Sequence, residues 1–238
     1  MSAELKAKQV DTTWVLSISN PSGRVLTADV FASAIEALDV AERDDETRAV
    51  VVAGLDGLIS VTPNLRELAE RRQPAQAALA SQITSFAGLL DALRTFSKPV
   101  LAAVERHAEG AGLSLALACD FIVADESAHF GLPQTEQAWL PDSGASWFAA
   151  RELPRALANE MLLTGAPIEA ARLYAAGIVN KLSEQGHALQ TAIDWATEIG
   201  QRPSGIFSEA KRLLEDAPGR DLQSQMQAEG DALVARLR

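Results

Sequence analysis

Residues 98–120, K-P-V-L-A-A-V-E-R-H-A-E-G-A-G-L-S-L-A-L-A-C-D, constrain the fold more than any other part of the chain. Val100–Val104 is an unbroken apolar run of strand length, the pattern of a buried strand. A short polar turn leads to Gly110, Ala111 and Gly112, and residues 113–119 continue as an amphipathic run that reads as a helix. Strand, turn, small-residue cluster and helix start leave free backbone N–H groups at the positive end of a helix dipole. Such an end holds a phosphate, or the oxyanion that develops on a thioester carbonyl. The phosphate reading is the weaker one. No Gly-Lys-Ser/Thr follows, and G-x-G without a third glycine falls short of a dinucleotide fingerprint. Taken alone, a G-A-G cluster before a helix usually means only tight packing.

With 238 residues, 47% hydrophobic and 22% charged, the chain has the length and composition of one domain with an ample core. Cys119 is the sole cysteine, which excludes an internal disulfide and fits a reducing compartment; within its apolar run it reads as a buried small hydrophobe. The first residues, M-S-A-E-L-K-A-K, are too charged for a signal peptide, and no apolar run approaches 18 residues. The expected compartment is the cytoplasm, without a membrane partner. A net charge of −11 with no basic cluster argues against nucleic acid. It also sits awkwardly with a polyanionic ligand, although a few local Arg or Lys residues suffice for phosphates.

Strands are expected at 14–19, 50–53, 100–104, 121–124 and 129–130, with a short one at 178–181; helices are expected at 28–42, 64–72 and 75–96. Residues 20–23, Asn-Pro-Ser-Gly, read as a turn. Short strands alternating with helices, with no linker or repeat between them, imply an α/β architecture.

The wider string carries a resemblance. Residues 98–120 resemble the signature of the crotonase (enoyl-CoA hydratase/isomerase) superfamily, K-P-x-I-A-A-V-N-G-x-A-x-G-G-G with an L-A-L-A-C-D-like ending. Further matches follow in order: V-V-V-A-G at 50–54, H-F-G-L-P at 129–133, L-P-D-S-G-A-S at 140–146, E-M-L-L-T-G at 160–165 and G-I-V-N-K-L at 177–182. They span roughly residues 10–215. The wording is most similar to the branch of Δ3,Δ2-enoyl-CoA isomerases and phenylacetate-pathway ring-opening isomerases. The resemblance implies an α/β fold of the crotonase-like ββα spiral type with a helical C-terminal part. Residues 1–195 would form the spiral core and 196–238 a helical segment, shorter than usual for the family, whose last helix covers the acyl-CoA. It also implies a homotrimer or dimer of trimers acting in fatty or aromatic acid metabolism. Coenzyme A would enter only as the substrate thioester, with no cofactor and no metal.

Hydration of an enoyl thioester needs two carboxylates, one for the water and one for the α-carbon. The resemblance puts them at Ser114 and Gln134, neither of which can act as a general base, so ordinary hydratase activity is not expected. Shifting a double bond asks for one base. Asp142 occupies the position where several branches carry their working carboxylate, in one branch as a nucleophile. Apolar neighbours Trp139, Leu140, Trp147 and Phe148 would raise its pKa by desolvation. The competing reading is a helix N-cap, which would lower it. Glu136 and His107 read as a solvated glutamate and an exposed loop histidine.

The family's oxyanion hole takes one N–H from the middle of the glycine cluster, here Ala111. The second comes from a loop that here reads I-S-V-T-P-N-L, residues 59–65, and places Pro63 on the donor position. Proline has no N–H, and losing one such donor costs roughly 3–4 kcal/mol of transition-state stabilisation. Asn64 is the nearest substitute. Thr62, Leu65, Gly110, Ser114, Gln134 and Trp139 are expected to line the substrate. The leading expectation is a double-bond isomerase acting on an acyl-CoA through Asp142. The alternatives are a crotonase-fold binding or accessory subunit that has lost the chemistry, and a hydrolase or carbon–carbon bond cleaver acting on a substrate without coenzyme A.

Overall fold

A computed structural model describes residues 4–19, 26–54, 58–59, 72–132, 141, 143–203 and 205–236. Two sheets are wound one strand at a time. β1 (Glu4–Val10), β2 (Thr13–Ser19), β3 (Ala49–Ala53), β5 (Val100–Val104), β7 (Phe121–Asp125) and β10 (Lys181–Ser183) form the larger sheet in that order. β4 (Leu58–Ile59), β6 (His107–Gly110), β8 (His129–Gly131) and β9 (Ile168–Glu169) form the smaller one. Each turn of chain gives one strand to each sheet: β3 then β4, β5 then β6, β7 then β8. Among the described residues only the outer pairs β1–β2 and β8–β9 are antiparallel. Helix α1 (Ala28–Arg43) precedes β3, α2 (Arg72–Thr95) precedes β5, and α3 (Ala111–Leu117) joins β6 to β7.

The central strands read as continuous apolar runs because both faces are covered. Val50, Val52, Val100, Ala102, Val104, Ile122 and Ala124 face the main core with Phe31, Phe86, Leu89 and Leu93 of α1 and α2. Val51, Ala53, Leu101, Ala103 and Val123 alternate to the opposite face. There they meet Ala188, Ala192 and Ala196 of α7 (Ala188–Gly200). Alanine every fourth residue presents one flat stripe, which lets this helix lie close on the sheet. Its start is fixed from far away in sequence. The buried Asp125 carboxylate accepts hydrogen bonds from Ser183 Oγ (2.8 Å), Gly186 N (2.8 Å) and Ala188 N (3.1 Å). At the end of β3, Gly54 has φ 72°, and a Cβ there would lie 2.3 Å from the Ile18 carbonyl oxygen, so only glycine lets β2 and the turn pass each other.

Between β8 and β9 lie α4 (Ala145–Glu152) and α5 (Arg155–Thr164); α6 (Ala170–Ala175) leads to β10. After α7 come α8 (Ile206–Asp216), one 3-10 turn (Ala217–Gly219) and α9 (Leu222–Ala235). Residue 195, the expected end of the core, lies inside α7. Among the described residues no helix is long and apolar enough to cross a membrane.

The structure revises several local expectations. The strand expected at 178–181 is Lys181–Ser183. Residues 177–180 make a turn instead, in which Gly177 takes φ 81° and Asn180 Oδ1 accepts from Ile122 N at 2.7 Å, standing in for a strand neighbour. The polar turn expected before Gly110 contains strand β6, so His107 is a half-buried strand residue paired in register with His129, not an exposed loop residue. Cys119 packs partly buried against the core, its thiol donating to the Leu115 carbonyl at 3.2 Å and pushed up in pKa by burial. The helix expected at 64–72 and the turn at 20–23 lie outside the described residues, save Arg72, which opens α2.

Candidate active site

Strands β4, β6 and β8 run parallel, with Ile59 opposite Gly110 and Glu109 opposite Gly131. Their carboxyl ends therefore lie side by side, the place where α/β sheets put their ligands. Each of the three segments carrying candidate residues leaves from this edge. Ile59 precedes Thr62, Pro63, Asn64 and Leu65; Gly110 leads directly into Ala111 and Ser114; Gly131 precedes Gln134, Glu136, Trp139 and Asp142. The described candidates are Gly110, Ala111 and Ser114. Thr62, Pro63, Asn64, Leu65, Gln134, Glu136, Trp139, Leu140 and Asp142 lie outside the described residues.

Gly110 turns β6 into α3 with φ 57° and ψ −119°, a conformation closed to residues with a side chain. That sharp turn is why the sequence needs glycine here. It makes the buried Ala111 the first residue of α3, and a helix leaves its first N–H groups without intrahelical acceptors. An N–H so placed is a preorganised donor for an oxygen that gains negative charge. Ser114, one turn further, is wholly buried, and its Oγ has no hydrogen-bond partner among the described residues.

Helix α3 packs against β4, β5, β6 and α4. Its neighbour α4 starts from two successive left-handed residues, Ser143 (φ 55°) and Gly144 (φ 84°). Gly144 holds the cap position, so the N-cap expected at Asp142 falls two residues before the cap. Sequence reasoning did not single out Ser143. The available signal was the Ser-Gly pair before the helix, since glycine follows readily in such turns. Serine at positive φ is uncommon, and strained backbone of this kind collects at functional sites. The Ser143 Oγ is also buried and without a partner among the described residues.

Trp147 was expected to help desolvate Asp142, which lies outside the described residues. Its ring packs on the guanidinium groups of Arg151 (3.9 Å) and Arg94 (4.5 Å), with Phe148 edge-on at 5.0 Å. This group lines a cavity of ≈ 690 Å³ at the other end of α3, together with Leu117, Cys119, Phe207 and Leu214. Across it, Lys211 of α8 reaches Asp120 Oδ1 (2.8 Å) and the Leu93 carbonyl (3.1 Å). Asp120 Oδ2 accepts from Val100 N at 2.8 Å. Both side chains of the ion pair are nearly closed to water, at 10% and 14% exposed. Burial raises the Asp120 pKa, and Lys211 opposes that rise.

Sheets wound alternately, with a glycine-only turn feeding a buried helix at the strand ends, define an α/β spiral of the crotonase kind. Residues 11–236 match the family "Enoyl-CoA hydratase/isomerase". Among the relatives, 2,3-dehydroadipyl-CoA hydratase of Escherichia coli (strain K12) is 28% identical over 95% of this chain and 88% of its own length. Enoyl-CoA hydratase domain-containing protein 2, mitochondrial, of Bos taurus is 32% identical over 90% of this chain and 73% of its own. The crystal structure of an enoyl-CoA hydratase from Polaromonas sp. JS666 superposes with a TM-score of 0.86 at 38% identity, covering 99% of this chain and 92% of that one. The chain belongs to the enoyl-CoA hydratase/isomerase family.

Proposed function

We propose that the chain moves a carbon–carbon double bond within an acyl-CoA thioester. Asp142 removes a proton from the carbon next to the thioester and returns it further along the acyl chain. The Ala111 N–H holds the oxygen of the intervening enolate, with Asn64 in the part that Pro63 cannot play. The reaction moves protons only, so it calls for no redox group, and coenzyme A enters as part of the substrate. An acyl-CoA substrate accords with the family and with the names of its members. The choice of isomerisation over hydration rests on one observation. The buried first turn of α3 carries Ser114, which has no carboxylate to hold or activate water, at the position where the resemblance expects a glutamate.

The chain is accordingly expected to hydrate crotonyl-CoA negligibly. A spectrophotometric assay finding hydration within tenfold of a standard hydratase contradicts this. Pro63 favours a second reading, a binding or accessory protein that no longer uses the oxyanion hole. That protein would bind or release its ligand without turning over any enoyl-CoA.

We also propose a homotrimer, alone or paired into a hexamer, assembled through the C-terminal helices. Leu214 on α8 and Leu222, Met226 and Leu233 on α9 are exposed, and the last three fall on one face by their spacing. Sedimentation at micromolar concentration is expected to give the trimer or hexamer mass. A monomer contradicts the proposal.

A further inference from the structure

Strands β6, β8 and β9 put three side chains of metal-ligand type in one row across the smaller sheet. His107 pairs with His129 between the parallel strands β6 and β8, and His129 pairs with Glu169 between β8 and β9. Residues paired across strands point to the same face. The opposite face belongs to the core, where Ala108, Phe130 and Ile168 alternate with them and are buried. His107 and His129 are half-buried and Glu169 is exposed, so an ion in solution reaches the row. Glu109, two residues beyond His107, points the same way and is also acidic.

The chain has three histidines, and two of them stand side by side here. Half-exposed sheet positions ordinarily favour Thr, Val or Tyr. Neighbouring strands lie about 4.7–4.9 Å apart. Two imidazoles rising from them can therefore close on one ion at the roughly 2.0–2.1 Å of a zinc–nitrogen bond. The Glu169 carboxylate is uncommitted, since the residue holds the cap position of α6 without a side-chain capping bond. Among the described residues no group of three such side chains is already set to hold an ion. Binding needs side-chain rotation, about Cβ atoms that the sheet keeps in place.

We propose that His107, His129 and Glu169 form a surface site for zinc(II), with water in the fourth position. Imidazole nitrogen selects zinc, nickel or copper over magnesium or calcium, which take oxygen ligands. The bound ion cross-links β6, β8 and β9. Because β6 and β8 end at Gly110 and Gly131, it stiffens the sheet edge from which the candidate site's segments leave. The zinc site stands or falls independently of the reaction proposed above.

The test is calorimetric titration of zinc chloride into the metal-free full-length protein, with magnesium chloride for comparison. A single zinc per chain is expected, and no saturable heat from magnesium. His107→Gln and His129→Gln should each weaken zinc binding at least as much as losing an outer partner of a ligand does, about 10–100-fold. His187→Gln should leave it unchanged, because the third histidine precedes α7, which packs on the larger sheet. At about a hundredfold excess over Kd, zinc should raise the wild-type Tm by about 5–10 °C. A further readout needs no variant. Diethyl pyrocarbonate, which acylates imidazole nitrogen, should modify His107 and His129 in the metal-free protein and spare them when zinc is bound, with His187 modified in both. No saturable zinc binding, binding unchanged in both glutamine variants, or zinc that leaves His107 and His129 open to the reagent overturns the site.

Discussion

Asp142→Asn is expected to lower the rate of double-bond isomerisation of a 3-enoyl-CoA by about 10²- to 10⁴-fold, the range general acid–base catalysis contributes. Asparagine keeps the shape and hydrogen-bonding reach of aspartate and gives up only the basic oxygen. Because Gly144 caps α4, the substitution leaves the helix start untouched. Binding of a saturated acyl-CoA should therefore stay within a few-fold of the wild type while turnover collapses. Steady-state rates together with a titration of the unreactive thioester check both halves. Full activity in the variant means that another group moves the proton.

Lys211→Ala is expected to destabilise the fold by about 3–5 kcal/mol at neutral pH, the scale for stranding one partner of a buried ion pair. Among the described residues, the carboxylate left behind keeps only the Val100 N–H. The loss has a pH signature. Burial already lifts the Asp120 pKa above its ordinary 3.8, and removing Lys211 takes away the strongest opposing influence. A carboxyl whose folded pKa lies above its unfolded one favours the fold while protonated. Its contribution is present below the unfolded value and disappears as the pH rises through the folded one. The variant should thus approach wild-type stability towards pH 4 and fall progressively behind above it. Urea unfolding at a series of pH values measures this. A deficit that does not grow with pH contradicts it. The same contact bears on assembly, because Lys211, with the Arg94–Glu215 pair, ties α8 to the core.

Those contacts show where sequence reading stops. The strands at 50–53, 100–104 and 121–124 were legible because burial on both faces demands an unbroken apolar run. β6 was not. Its residues, His-Ala-Glu-Gly, alternate between half-buried and buried positions in the small sheet and resemble a turn. β1, Glu-Leu-Lys-Ala-Lys-Gln-Val, escaped notice because it is an exposed edge strand held by β2. The start of α7 depends on Asp125, which lies 63 residues from Ala188 and gives no local signal.

At the candidate site, the glycine cluster announced itself because the turn at 110 excludes every other residue. The surroundings of Trp147 were not legible, for the opposite reason: one of its guanidinium partners, Arg94, comes from another helix far off in sequence. The strained Ser143 was hidden for a third reason, since backbone conformation at a non-glycine residue leaves no mark on composition or periodicity.

The central claim is that this site moves a double bond and does not add water across one. Incubating the wild-type protein separately with 3-hexenoyl-CoA and with crotonyl-CoA, and resolving the products chromatographically, tests it most directly. The expected result is conversion of 3-hexenoyl-CoA to 2-hexenoyl-CoA in proportion to enzyme, with crotonyl-CoA left unhydrated. Hydration of crotonyl-CoA without conversion of 3-hexenoyl-CoA, or turnover of neither, contradicts the account.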